Sequence, residues 1–273
     1  MLEVPHGRLN VVVDGEADAP PILLVHSAVV NLHAWDAMIP PLVSAGYRVL
    51  RYDVRGFGDS TTEDVEFSNT DDLRAVLDAT GTRQVAIAGN SRGAMISLDA
   101  ILETPDRFVA YVWVGGGISG YEAPIEPPAA EQALDEAWEP AEQAGDIEAM
   151  ADIDRRMWLD GPGQPPTRVP AAIRKAFMVM DRPLVDPKTV FGKPKAAEPP
   201  AATRLADLKI PTLIVIGELD SARTRASAAH LAVNAPNARL ESWPDVAHLI
   251  GMEQPERLAA AIVDFLAPLP RWH

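Results

Sequence analysis

The feature that most constrains this chain is an alternation. Short apolar runs of strand character are separated by segments of helical spacing over most of its 273 residues. Residues 9–13, 21–26, 47–52, 85–88 and 108–114 read as strands. Residues 35–46, 70–80 and 91–103 read as helices, and Leu73, Val76 and Leu77 share one face of the second. Strand, helix and strand at this spacing imply right-handed crossovers and a mostly parallel sheet. The strands are apolar almost throughout, as in a sheet covered by helices on both faces. The fold class is therefore α/β.

The pattern stops after Gly115-Gly116-Gly117 and resumes near residue 201. Strands are then expected at 210–216 and 238–243, and helices at 224–234 and 255–266. Between them, residues 118–200 are rich in proline, alanine and acids. A disordered linker would not need Trp138, Met157, Trp158, Phe177, Met178 and Met180. The expected organisation is a core from 1–117 and 201–273, with a mainly helical insertion at 118–200. Helices are expected there at 131–139 and 147–158, and loops at 162–170 and 193–200.

One stretch carries chemistry. In VAIAGNSRGAMISL, residues 85–98, an apolar strand meets Gly89-Asn90-Ser91-Arg92-Gly93, and a helical run follows at once. A serine on so tight a turn brings the backbone on its two sides together, and side chains two residues away on either side would clash. Gly89 and Gly93 occupy those places. This is the G-x-S-x-G nucleophile elbow in its required strand–turn–helix setting. The bland reading is a serine that merely caps a helix.

A serine hydroxyl needs a base, and the base needs an acid to orient it. Six histidines are available. His248 follows the last strand in a loop, just before the closing helix. His6 is near the N-terminus, His230 is inside a helix and His273 is terminal. His26 is expected to structure a loop, and His33 to lie on the surface or behind the site. For the acid, Asp220 follows the strand before it, at the carboxyl end where α/β sheets place their sites. Asp245 is the alternative and Glu218 a weaker one. Nucleophile, acid and base then come in the chain order Ser91, Asp220, His248.

With these residues the sequence resembles the α/β-hydrolase fold family almost end to end. Val25-His26-Ser27-Ala28 with Trp35 is similar to the family's oxyanion loop. Residues 52–60, YDVRGFGDS, are similar to its D-x-R-G-x-G-x-S stretch. Residues 217–220 and 247–255 are similar to its acid and base segments. The resemblance implies an eight-stranded sheet with residues 118–200 as a cap over the site. It implies an oxyanion hole from the main-chain N–H groups of Ala28 and Arg92. Ser27 departs from the usual glycine, and Arg92 is bulky for the place after the nucleophile. Its guanidinium is expected to meet a buried acid or to pack.

The expected activity is hydrolysis of a carboxylic ester or lactone through an acyl-enzyme on Ser91. Serine-triad alternatives on this fold are C–C bond hydrolysis, perhydrolysis and amide or aminopeptide cleavage. A ligand-binding receptor with little turnover is the rival outside enzymology. Trp35, Trp138, Trp158, Phe177 and Met178 are the candidate substrate-lining residues, and the substrate is expected to be small and neutral. No metal and no cofactor is expected. With no cysteine, thiol catalysis and disulfides are excluded. A formal net charge of −15 argues against nucleic acid and anionic lipid as partners. No run of about 18 apolar residues is present. The opening MLEVPHGRLN lacks a basic stretch followed by an apolar one. A cytoplasmic location is expected.

Overall fold

The structure is a computed structural model that describes residues 1–272; His273 lies outside them. Its strands in chain order are β1 (Leu2–Val4), β2 (Gly7–Leu9), β3 (Val11–Asp14), β4 (Pro21–Val25), β5 (Arg48–Tyr52), β6 (Thr61–Thr62), β7 (Glu66–Phe67), β8 (Val85–Asn90), β9 (Phe108–Val114), β10 (Lys193–Pro194), β11 (Thr212–Gly217) and β12 (Ala238–Trp243). The main sheet has the order β12-β11-β9-β8-β4-β5-β3. Only β3, antiparallel to β5 at one edge, breaks its parallel run.

That sheet has seven strands, not the expected eight. The run read as one strand at 9–13 is broken at Asn10. Its N–H turns to the Ser60 hydroxyl, and its amide to the Asp53 carboxylate. Residues before it form the β1–β2 hairpin, which pairs with β6 in a separate small sheet.

The helices are α1 (Ile39–Ser44), α2 (Asn69–Ala79), α3 (Arg92–Glu103), α4 (Ala129–Ala144), α5 (Ile147–Asp154), α6 (Ala171–Asp181), α7 (Ala222–Asn234), α8 (Ile250–Glu253) and α9 (Pro255–Leu266). Successive strand residues point to opposite faces, and the core divides accordingly. Leu23, Val25, Ile87 and Ile214 pack with residues of α2, α3 and α7. Ile22, Leu24, Ala88, Leu213 and Val215 pack with residues of α1 and α9. The unbroken apolar strands of the sequence thus feed two cores at once.

Residues 118–200 hold α4, α5, a wide turn of π-helix (Arg155–Leu159) and α6. Leu134, Met150, Ile153 and Met157 make a small core within this segment. Phe177, Met180, Leu159 and Val169 pack instead against Val30 and Leu249 of the main body. Glu131 of α4 accepts from the Ala222 N–H at 2.8 Å, fixing the segment to the start of α7. Among the described residues, no helix is long and apolar enough to cross a membrane.

Candidate active site

Ser91 sits between β8 and α3 with φ 57° and ψ −119°, a conformation that L-residues rarely adopt. A Cβ on Gly89 would collide with the Gly93 carbonyl, and one on Gly93 with the Val25 carbonyl. Both glycines are therefore required by close backbone approach. The Ser91 N–H donates to the Val114 carbonyl at 3.0 Å, hanging the turn from the end of β9. The serine hydroxyl makes no helix-capping bond, so the bland capping role does not describe it.

His248 and Asp220 meet beneath the surface. The His248 Nδ1 lies 3.0 and 2.9 Å from the two Asp220 oxygens, and both residues are buried. The Ser221 N–H donates to the same carboxylate at 2.6 Å. A carboxylate at Nδ1 fixes the tautomer with the proton on that nitrogen, leaving Nε2 free to accept. Asp245 is exposed, at φ 61°, and its carbonyl accepts from Arg168. Glu218 accepts only from the Ser242 hydroxyl at 3.2 Å.

Three supports escape the sequence reading. The Asn90 amide donates to the Val114 carbonyl at 2.9 Å and to the His248 carbonyl at 3.0 Å, joining the elbow to the histidine loop. Gly115, at φ 47°, leaves room beside Asp220 and His248: a Cβ there would lie 3.0 Å from the carboxylate. Glu253 accepts the Ala247 N–H at 3.0 Å and the Arg168 guanidinium. Burial raises the Glu253 carboxyl to about 7. Asn90 inside the elbow motif and Glu253 inside the 247–255 segment stand next to a recognisable signal in the sequence.

The loop before the site is braced from below. His26 donates from Nδ1 to the Ser27 carbonyl at 2.7 Å, while its Nε2 accepts from the Val54 N–H at 2.9 Å. Burial lowers its pKa, so it stays neutral and structural. Asp53 accepts from the N–H groups of Leu32 and Asp59 and from the Asn10 amide. A Cβ on Gly58 would strike that carboxylate. The YDVRGFGDS stretch is thus architecture: it holds the loop that carries Ala28. Arg92 opens α3, so its N–H has no intrahelical partner, and neither it nor the Ala28 N–H is engaged in a backbone bond among the described residues.

The five expected lining residues separate. Trp158 packs on His248, ring centroids 4.7 Å apart. Trp138 shares with it a cavity of about 280 Å³. Trp35 is a correction: it is buried beneath the loop against Met38 and Gly251, part of the core. Phe177 is wholly buried where α6 meets the main body, and Met178 packs on the same cluster. Large apolar side chains in a cap must first seat the cap. His33 is on the surface with Asp36, and His230 stacks on Tyr121.

Behind Trp158 lies an unusual pair. The indole N–H donates to Asp154 at 3.1 Å. Asp154 lies beside Asp181, whose two buried oxygens have no hydrogen-bond partner among the described residues. Two buried carboxyls side by side favour a proton on at least one of them. Burial raises Asp154 to about 7; burial and the Asp154 charge raise Asp181 to about 9.

The sequence profile of the Alpha/beta hydrolase family matches residues 22–261. The chain belongs to that family. Rhodomycin D methylesterase DauP of a Streptomyces species is 27% identical over 271 residues, covering 90% of each chain. Epoxide hydrolase A of Mycobacterium tuberculosis is 37% identical, but the match spans only 34% of that protein. Among solved structures, a hydrolase from Pseudomonas aeruginosa superposes with a TM-score of 0.76 at 26% identity, covering 97% of both chains. The chain is thus an enzyme of the α/β-hydrolase superfamily, with the mostly parallel, helix-flanked sheet of that family.

Proposed function

We propose that this α/β-hydrolase cleaves a carboxylic ester or lactone through an acyl-enzyme on Ser91. The observation that carries the reading is the buried His248–Asp220 pair, tied by Asn90 to the strained elbow that presents Ser91. Ser91 attacks the carbonyl carbon while His248 Nε2 takes its proton. The N–H groups of Ala28 and Arg92 hold the oxyanion, one such donor being worth roughly 3 kcal/mol. Collapse expels the alcohol, to which His248 returns the proton. Water, deprotonated by the same imidazole, then releases the acid. Asp220 keeps the imidazole in its useful tautomer and stabilises its positive form.

Epoxide hydrolases and dehalogenases of this fold use an aspartate nucleophile, and residue 91 is serine. A methylesterase aligned over nine-tenths of both chains favours an ester. Trp158 beside His248 suits an acyl group that is small and neutral where it meets the scissile carbonyl. A receptor with little turnover would keep the geometry but not the burst. The test is a panel of p-nitrophenyl esters and lactones against wild type and Ser91→Ala. An ester burst in wild type, absent from the variant, is expected; equal rates in the two proteins overturn the reading.

A further inference from the structure

Arg92 stands out by what it lacks. It is half-buried, yet its guanidinium donates to no carboxylate and no carbonyl among the described residues; it lies over the Phe57 ring, 5.2 Å from the centroid. Every other arginine of the described chain that is not exposed has such an acceptor. Arg55 meets Asp72, Arg168 meets Glu253 and Arg204 meets the Leu102 carbonyl. A half-buried guanidinium has lost much of its hydration, and the usual recompense is an anion in its fork. Burial lowers the pKa of Arg92, with only the buried Tyr52 opposing.

The side chain has somewhere to bind. It lines a cavity of about 860 Å³ between α2, α3 and the strap around β10. Three of the four acids that share this cavity are answered by others. Asp71 and Glu103 are both held by Arg74, at 2.5 and 2.8 Å. Asp99 accepts from the Ser119 hydroxyl at 2.5 Å, and burial raises it to about 6. Glu198 lies in the strap. Arg92 directly follows Ser91, and consecutive Cα atoms are about 3.8 Å apart, so the two side chains leave neighbouring points of the backbone, although Arg92 lines this cavity and Ser91 and His248 do not.

We infer that the Arg92 side chain binds a carboxylate of the substrate, one that lies a few carbons beyond the scissile carbonyl. The inference rests on the ester-hydrolase reading. It replaces a wholly neutral substrate with one that is neutral at the reacting carbonyl and anionic at its far end. Arg92 then serves twice, its main chain holding the oxyanion and its side chain selecting the substrate. On a protein of net charge −15, a local cation is what an anionic substrate needs in order to dock.

The test compares p-nitrophenyl valerate with mono-p-nitrophenyl glutarate, which differ by a terminal methyl against a carboxylate. In wild type the glutarate ester is expected to have the higher kcat/KM, by roughly tenfold or more at low salt. Arg92→Met should abolish that ratio through KM, and Arg92→Lys should restore part of it. A ratio at or below one in wild type, or one unchanged in Arg92→Met, overturns the anchor. Calorimetric titration of glutarate into Ser91→Ala protein supplies a readout without turnover. Binding there that Arg92→Met removes supports the anchor even where neither ester reacts; no binding overturns it. Inert esters alone count against the serine-hydrolase reading.

Discussion

The core pair Arg55–Asp72 and the cap pair Asp154–Asp181 bury charge in opposite ways, although the cap also holds Asp160 against Arg155. In the core, acids meet donors: Asp72 takes two bonds from Arg55, and Asp53 takes three from two N–H groups and an amide. In the cap, Asp154 lies beside Asp181, and among the described residues the Trp158 indole is the hydrogen-bond donor to the pair. A carboxylate that meets fixed donors keeps its place across a wide pH range. Two carboxyls that meet each other hold only while a proton is shared. The core therefore fixes the proposed reacting groups, while the cap's hold on Trp158, and through it on the wall beside His248, is conditional.

The contrast is sharpest in turnover. Ser91→Ala should lower kcat by about 10⁶-fold while leaving the fold intact; circular dichroism checks the fold, and a fluorophosphonate should label Ser91 in wild type alone. Asp220→Asn should cost about 10⁴-fold in kcat, since the amide favours the wrong tautomer. Asp245→Asn should change kcat less than twofold, and the reverse ranking of the two would move the acid to residue 245.

Stability should show the next largest effects. Asp72→Ala leaves Arg55 buried without its partner, at a cost of about 3–5 kcal/mol in denaturant unfolding. Asp181→Asn removes a charge problem instead, and the variant is expected to match or exceed wild type above neutral pH. The sign follows from linkage. Both cap acids are held above their unfolded pKa of about 4, so the folded chain keeps protons that the unfolded chain has released. Stability is then lost as pH rises from about 4 through about 7 and about 9, by up to about 1.4 kcal/mol per pH unit for each proton. Asp181→Asn should flatten this slope. Equal slopes in the two proteins would mean that the carboxyls do not share a proton.

Much of the fold is legible in the sequence, and the limits of that reading have physical causes. The sheet was readable because buried parallel strands must be apolar, and the expected bounds 108–114 and 238–243 match β9 and β12. The elbow was readable because two glycines are sterically forced. The broken strand at Asn10 was not, because a side-chain bond to Ser60, fifty residues away, decides it. Helix α6 was missed, since its apolar residues were weighed as pocket walls and not for their spacing. Trp35 was misplaced because an aromatic residue near a site carries no mark of which way it faces. The Asp154–Asp181 pair joins two helices, and an acidic chain offers too many acids for such a pair to stand out.

The backbone of Ser91 has a further consequence for how this chain responds to selection. Its φ and ψ belong to the region that glycine enters freely and that costs another residue about 1–3 kcal/mol. Ser91→Gly should therefore raise the melting temperature while abolishing hydrolysis. A search for heat-tolerant variants that scores folding alone would discard the proposed nucleophile among its first improvements. Residue 91 is where durability and chemistry ask for different amino acids, so thermostabilisation of this enzyme has to be screened on turnover.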